Sequence, residues 1–168
     1  MTGVQTCALP IYQVANVEPG NRRAVYAFAR LGSGLGQWAN AANVVVRYAV
    51  MREAFDDELL SVLEQAAQTH KAHDALAVAL ADALEKFKLP AGVAALFYQR
   101  LAVLHRDHRG DRTAAIAALR KALELGGERL AWLTDLVALE REVGQTAALL
   151  DALRRLADAD GQIGRAHV

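Results

Sequence analysis

Residues 110–125, Gly110 through Leu125, read GDRTAAIAALRKALEL. Ala115, Ile116, Leu119 and Ala122 stand at i, i+1, i+4 and i+7, which is one face of a 3.6-residue helix. Arg112, Arg120, Lys121 and Glu124 occupy the remaining positions and belong in water. Gly110 in front supplies a turn, and Gly126 with Gly127 behind supplies a stop. Alanine in the apolar stripe lets another helix approach closely, while Ile116 and Leu119 fill the space beside it. A short helix gains most of its stability by packing that stripe, so the stretch predicts partner helices.

The same turn-then-helix pattern occurs three more times. It is GQWANAANVVVRYA from Gly36, HKAHDALAVALADA from His70 and GQTAALLDALRRLA from Gly144, and with Gly110 the spacings are 34, 40 and 34 residues. Stacked this way, one column holds Ala41, Ala75, Ala115 and Leu149. The next holds Ala42, Leu76, Ile116 and Leu150, and the third Val45, Ala79, Leu119 and Leu153. Each segment follows a second helical pattern: RRAVYAFARL, FDDELLSVLEQAAQ, AGVAALFYQRLAVLHRD and ERLAWLTDLVALEREV. Self-similarity at this period marks a repeat array in which neighbours bury one another. The prediction is an all-α chain of about four helix–turn–helix repeats, eight helices in four antiparallel pairs.

At Gly110, Ala115, Leu119 and Ala122 the third repeat resembles the second half of a tetratricopeptide repeat, with a turn glycine and then small and bulky residues at fixed offsets. Leu101 and Ala102 match the family's pair on the first helix, with one extra residue before the turn, and His105 stands where the family has tyrosine. The fourth repeat matches through Leu136, Gly144, Leu149, Leu153 and Leu156, the first two mainly in spacing. The chain departs from the pattern in replacing the terminal proline by Gly127 and in a third repeat six residues long. The resemblance implies a right-handed superhelical α-solenoid whose first helices line a concave surface.

The two ends read differently. Residues 1–12, MTGVQTCALPIY, and residues 162–168, QIGRAHV, share nothing with the alanine-rich middle. Codons chosen for Gln162–Val168 give, apart from one terminal base, the reverse complement of part of a coding string for Thr2–Ile11. That string is similar to a short-read sequencing adapter. The expected organisation is therefore a non-native segment 1–12, a helical-repeat domain 13–161 cut at both ends, and a non-native segment 162–168. Cys7, the single cysteine, lies in the first of these, so the repeats hold no disulfide or thiolate ligand.

Nineteen basic and nineteen acidic residues balance, so no basic footprint for nucleic acid exists, and no apolar run approaches a membrane span. Gly32-Ser-Gly-Leu-Gly36 alternates glycines as phosphate loops do, but a helical pattern rather than a strand precedes it and no Lys-Ser/Thr follows. It reads as an interhelix turn. His70 with His73 and His105 with His108 are i, i+3 pairs that one helical face would present together. Without thiolates they read as turn histidines, with His105 half-packed, and neither metal nor cofactor is expected. Asp56, Asp57 and Glu58 suit a helix start, and Asp74 and Asp82 a polar helix face. No nucleophile is paired with an oriented base, so no catalytic residue is assigned. Trp38, Trp132, Tyr26, Tyr48, Phe28, Phe97 and Tyr98 read as core between repeats.

Carried over from the family by register, the concave positions are Leu60 and Glu64 in repeat two. In repeat three they are Gln99, Arg100, Val103 and Arg106, and in repeat four Thr134, Asp135, Ala138 and Arg141. Gln99, Arg100, Arg106, Thr134, Asp135 and Arg141 are the expected partner-binding residues, the arginines suited to an acidic peptide. The Lys/Asn/Arg clamp with which some family members hold a terminal carboxylate is missing from these columns, which disfavours a chaperone-tail adaptor. The function implied is a protein-interaction scaffold for a peptide or protein partner. The alternative is a regulatory or substrate-recruiting segment of a larger enzyme.

Overall fold

The computed structural model describes the backbone of residues 3–166 and the side chains of residues 10–160. Among the described residues there are nine α-helices and no strand. They are α1 (Gly3–Val17), α2 (Arg22–Gly34), α3 (Trp38–Arg52), α4 (Asp57–His70) and α5 (His73–Lys86). After them come α6 (Ala91–Leu104), a π-helical turn (His105–Arg109), α7 (Arg112–Gly126), α8 (Leu130–Val143) and α9 (Thr146–Ala166). The eight expected helices are α2 to α9. One further helix, α1, precedes them and runs without a break across the expected boundary at residue 13. The side chains of 1–9 and 161–168 lie outside the described residues, and with them most of the first segment expected to be non-native (1–12) and all of the second (162–168).

Local chemistry sets the starts. Asn21, Asp56 and Asp111 each accept a hydrogen bond from a backbone N–H three residues on, at 3.2, 3.2 and 2.9 Å, which satisfies one orphan donor of α2, α4 and α7. Asp56 is thus a cap, as the acidic run at 56–58 suggested.

The turns between paired helices share one left-handed residue: Gly36 at φ +73°, Lys71 at +53°, Gly110 at +64° and Gly144 at +78°. In every repeat the second helix begins two residues later, at Trp38, His73, Arg112 and Thr146. Repeat two is therefore registered on Lys71, one residue beyond the His70 alignment. The corrected columns are Ala41, Leu76, Ala115, Leu149; then Ala42, Ala77, Ile116, Leu150; then Val45, Leu80, Leu119, Leu153. In the first three repeats all of these are buried, whereas Ala75 is exposed. In α9 the columns open, with Leu150 51% and Leu153 36% exposed.

The excess length of repeat three lies in its first helix. The second helix starts sixteen residues after the first in repeats one, two and four (Arg22 to Trp38, Asp57 to His73, Leu130 to Thr146), and twenty-one after it in repeat three (Ala91 to Arg112). The π turn absorbs the one extra residue before Gly110: Asp111 N donates across it to His105 O at 3.0 Å.

The chain divides into two compact units, residues 1–93 and 94–168. In the first, α2 packs on α4 and α3 on α5, first helix on first and second on second, while α2–α3 and α4–α5 close each pair. That is repeat stacking. Its core includes Val25, Phe28, Leu59, Leu63 and Leu76. The Tyr12 ring of α1 lies 4.7 Å from that of Phe28, and its hydroxyl donates to Asn40 Oδ1 at 3.4 Å. In the second unit α8 packs on α7 and on α9 around Leu123, Leu133 and Leu136. Glu140 of α8 is fully buried there and receives Arg120 of α7.

Candidate functional site

The register change moves the expected surface of repeat two. Leu60 is fully buried, because it belongs to the stripe Leu59, Leu60, Leu63 and Ala67 that α4 turns inward. One residue later, Ser61 and Gln65 take the places expected for Leu60 and Glu64. Counted the same way from Gly36, the equivalent positions of repeat one are Tyr26 and Arg30.

Tyr26, Arg30 and Gln65 line one groove of about 480 Å³ between α2 and α4. Gly34 continues its α2 side. On α4, Val62 and Ala66 are half-buried in it, and Thr69 and His70 are exposed. Thr69 Oγ1 donates to Gln65 O at 2.9 Å, which leaves its lone pairs as acceptors. No carboxylate lines the groove, and among the described residues no acidic side chain pairs with Arg30. Arg22, two turns back on α2, is by contrast committed: it donates to Asp56 at 2.7 and 3.1 Å and to Glu58 at 2.6 Å. These bonds hold the Asp56 carboxyl below its ordinary value and raise the Arg22 guanidinium further.

In the second unit Gln99, Arg106 and Asp135 meet in a small cleft with Ala102, Val103, Leu119 and Leu139. Of the six expected partner-binding residues these three are brought together; Arg100, Thr134 and Arg141 do not line it. Arg106 is already engaged. Its Nε and Nη2 reach the two oxygens of Asp107 at 2.6 and 3.1 Å, and its Nη1 lies 3.5 Å from Asp135 Oδ1. The Asp107 hydrogen bond raises the guanidinium and lowers the carboxyl. Half-buried Arg106 therefore meets internal carboxylates before any partner. Thr134 Oγ1 turns back to Leu130 O at 2.9 Å, and Arg141 is exposed.

The other candidates resolve simply. Gly32 and Ser33 belong to α2, where Ser33 Oγ donates to Ala29 O at 2.6 Å, so the alternating glycines are a helix end. His70 ends α4 and His73 begins α5, so the left-handed Lys71 between them breaks the shared face. His105 is buried, with its Nδ1 2.8 Å from Arg109 Nη1. Among the described residues no group of three or more His, Cys, Asp or Glu is placed to hold a metal. Six of the seven aromatics are core or half-buried away from the groove, and Tyr26 alone of them lines it.

Tyr26, expected in the core, lines the groove instead, and Arg30, Gln65 and Thr69 join it from positions to which no role was assigned. The signal was present as polar residues at i, i+4 on both first helices, but a lysine in the turn of repeat two hid the register.

No family model and no curated protein sequence matches the chain. Solved structures do match. A crystal structure of MamA, a tetratricopeptide-like helical-repeat protein, is similar at 15% identity and a TM-score of 0.52, covering 96% of this chain and 91% of that one. A second crystal structure of MamA is similar at 14% identity and a TM-score of 0.54, covering 98% of this chain and 87% of that one. At these identities the likeness is one of fold: the chain is an all-α helical repeat.

Proposed function

We propose that the chain is a protein-interaction scaffold that holds a peptide or partner protein against the first helices of its repeats. One observation carries the reading. The groove between α2 and α4 is lined by first-helix residues alone, and Tyr26, Arg30 and Gln65 stand at the columns that face the concavity in the family the sequence resembles. A volume of about 480 Å³ falls within the range of ligand sites. Packing has already consumed the second-helix columns of α3, α5 and α7, which leaves the polar variety of these repeats on their first helices. In the second unit the same reading falls on Gln99, Arg100, Arg106, Thr134, Asp135 and Arg141. Gln13–Gly161 is the part assigned to this role, the adapter-like residues 1–12 and 162–168 standing outside it. The reading asks for no chemistry from the chain.

The test is selection of a displayed random 12-residue peptide library on the folded chain. Affinity of the selected peptides is then measured by fluorescence anisotropy. Binding is expected to weaken with Tyr26→Ala plus Gln65→Ala, or with Arg100, Arg106 and Arg141 together changed to alanine, while the helical melting curve holds. Binding that survives both sets and fails with Asp82→Ala on α5 would place recognition on the second helices and sink the proposal.

A further inference from the structure

The groove between α2 and α4 has a charge that its surroundings do not cancel, and this deepens the reading just given. Arg30 is exposed on the wall formed by α2, and α2 itself contains no acidic residue. The groove-lining residues of α4, Val62, Gln65, Ala66, Thr69 and His70, likewise include no acid, and the acid within that stretch, Glu64, does not line the groove. The neighbouring arginine shows what a satisfied cation looks like here, since Arg22 is held by Asp56 and Glu58. The cleft in the second unit shows the same, because Asp107 and Asp135 occupy Arg106. Among the described residues, then, no carboxylate lines the groove in which Arg30 stands, and a guanidinium prefers a planar carboxylate held by two hydrogen bonds.

We infer that the α2–α4 groove is the docking site for a partner segment that carries an internal acidic side chain beside an apolar one. Arg30 takes the carboxylate. Tyr26, one turn away on the same face, and the half-buried Val62 and Ala66 cover the apolar side chain. The Gln65 amide offers a donor and an acceptor to the segment's backbone. Tyrosine and arginine are the residue types that concentrate binding energy, and here they share one face of one helix. The carboxylate is a side chain's and not a chain terminus. A terminus needs several cationic and amide donors converging on one point, whereas this groove has one permanently charged group, and His70 at its end.

The experiment uses the full chain and the 12-residue peptides selected on it. Enriched peptides are expected to carry Asp or Glu away from their C-terminus, next to an apolar residue. Arg30→Gln, which keeps length and removes charge, should weaken binding about tenfold or more. Changing the peptide's acid to its amide should do the same, with little added loss when both changes are combined. Amidation of the peptide's C-terminus should change nothing; a large loss on amidation would overturn the side-chain assignment in favour of a terminal carboxylate. Peptides that lose binding with Tyr26→Ala yet ignore Arg30→Gln would overturn this inference and leave the scaffold reading standing. Peptides indifferent to Tyr26→Ala, Arg30→Gln and Gln65→Ala alike, or no enrichment at all, would remove the site and the inference with it. Arg30 is exposed, so circular dichroism melting of Arg30→Gln should match the parent and separate lost binding from lost folding.

Discussion

A side chain in the left-handed region costs about 1 kcal/mol that glycine escapes, and exposed Lys71 holds that conformation at φ +53°. Its counterparts in the other three repeats are glycines. Lys71→Gly is therefore expected to raise stability by about 0.5–1 kcal/mol in urea denaturation, and a fall would mean that the lysine stem contributes packing. Asp56 supports a second prediction, since it both caps α4 and pairs with Arg22. Arg22's hydrogen bonds hold the Asp56 carboxyl below its ordinary value. The pair's contribution is present above the unfolded carboxylate value of about 4 and is lost as pH falls through the lower folded value. Asparagine still caps but cannot pair. Asp56→Asn should melt below the parent at pH 7, with the gap closing as the pH is taken to about 3. Asp56→Ala should cost about 1 kcal/mol more than Asp56→Asn, through the lost cap. A gap for Asp56→Asn that stays constant with pH would show that Arg22 contributes nothing.

Among helices, equal residues at equal register differ by what covers them. Leu119 of α7 and Leu153 of α9 share a column, yet they are 2% and 36% exposed. Leu119→Ala should cost about 2–4 kcal/mol, the range for a buried leucine that leaves a cavity, and Leu153→Ala about 1 kcal/mol or less. Equal losses in urea denaturation would mean that α9 is covered at Leu153. The helices themselves were legible because apolar spacing reports on a single backbone: all eight expected segments are helical, and the third-repeat columns are buried as predicted. The insertion of repeat three was legible as a count but not as a shape. Accommodating a residue by a π turn at His105–Arg109 depends on how the turn meets α7, against which it packs.

For the chain as a whole, the ends offer the remaining prediction. Removing Gln162–Val168 should leave the unfolding curve unchanged, because repeat stability resides in packed neighbours. Removing Met1–Tyr12 should cost about 1–3 kcal/mol, since the Tyr12 ring covers fully buried Phe28. An unchanged melt for the second deletion would show that α1 adds nothing to the first unit. By itself the sequence determined the all-α class, the repeat period and the identity of the packed columns in repeats one and three. Periodicity of apolar residues is a property of one helix and needs no partner to be read. The tertiary structure decided three further things. It placed repeat two on Lys71, because a left-handed turn accepts lysine at a small cost that sequence does not display. It paired Arg106 with Asp135 as well as with the adjacent Asp107, because only the packing of the helices brings Asp135 within its reach. It placed Tyr26 and Arg30 beside Gln65, because only the packing of α2 on α4 joins two polar faces, 35 residues apart in sequence, into one groove.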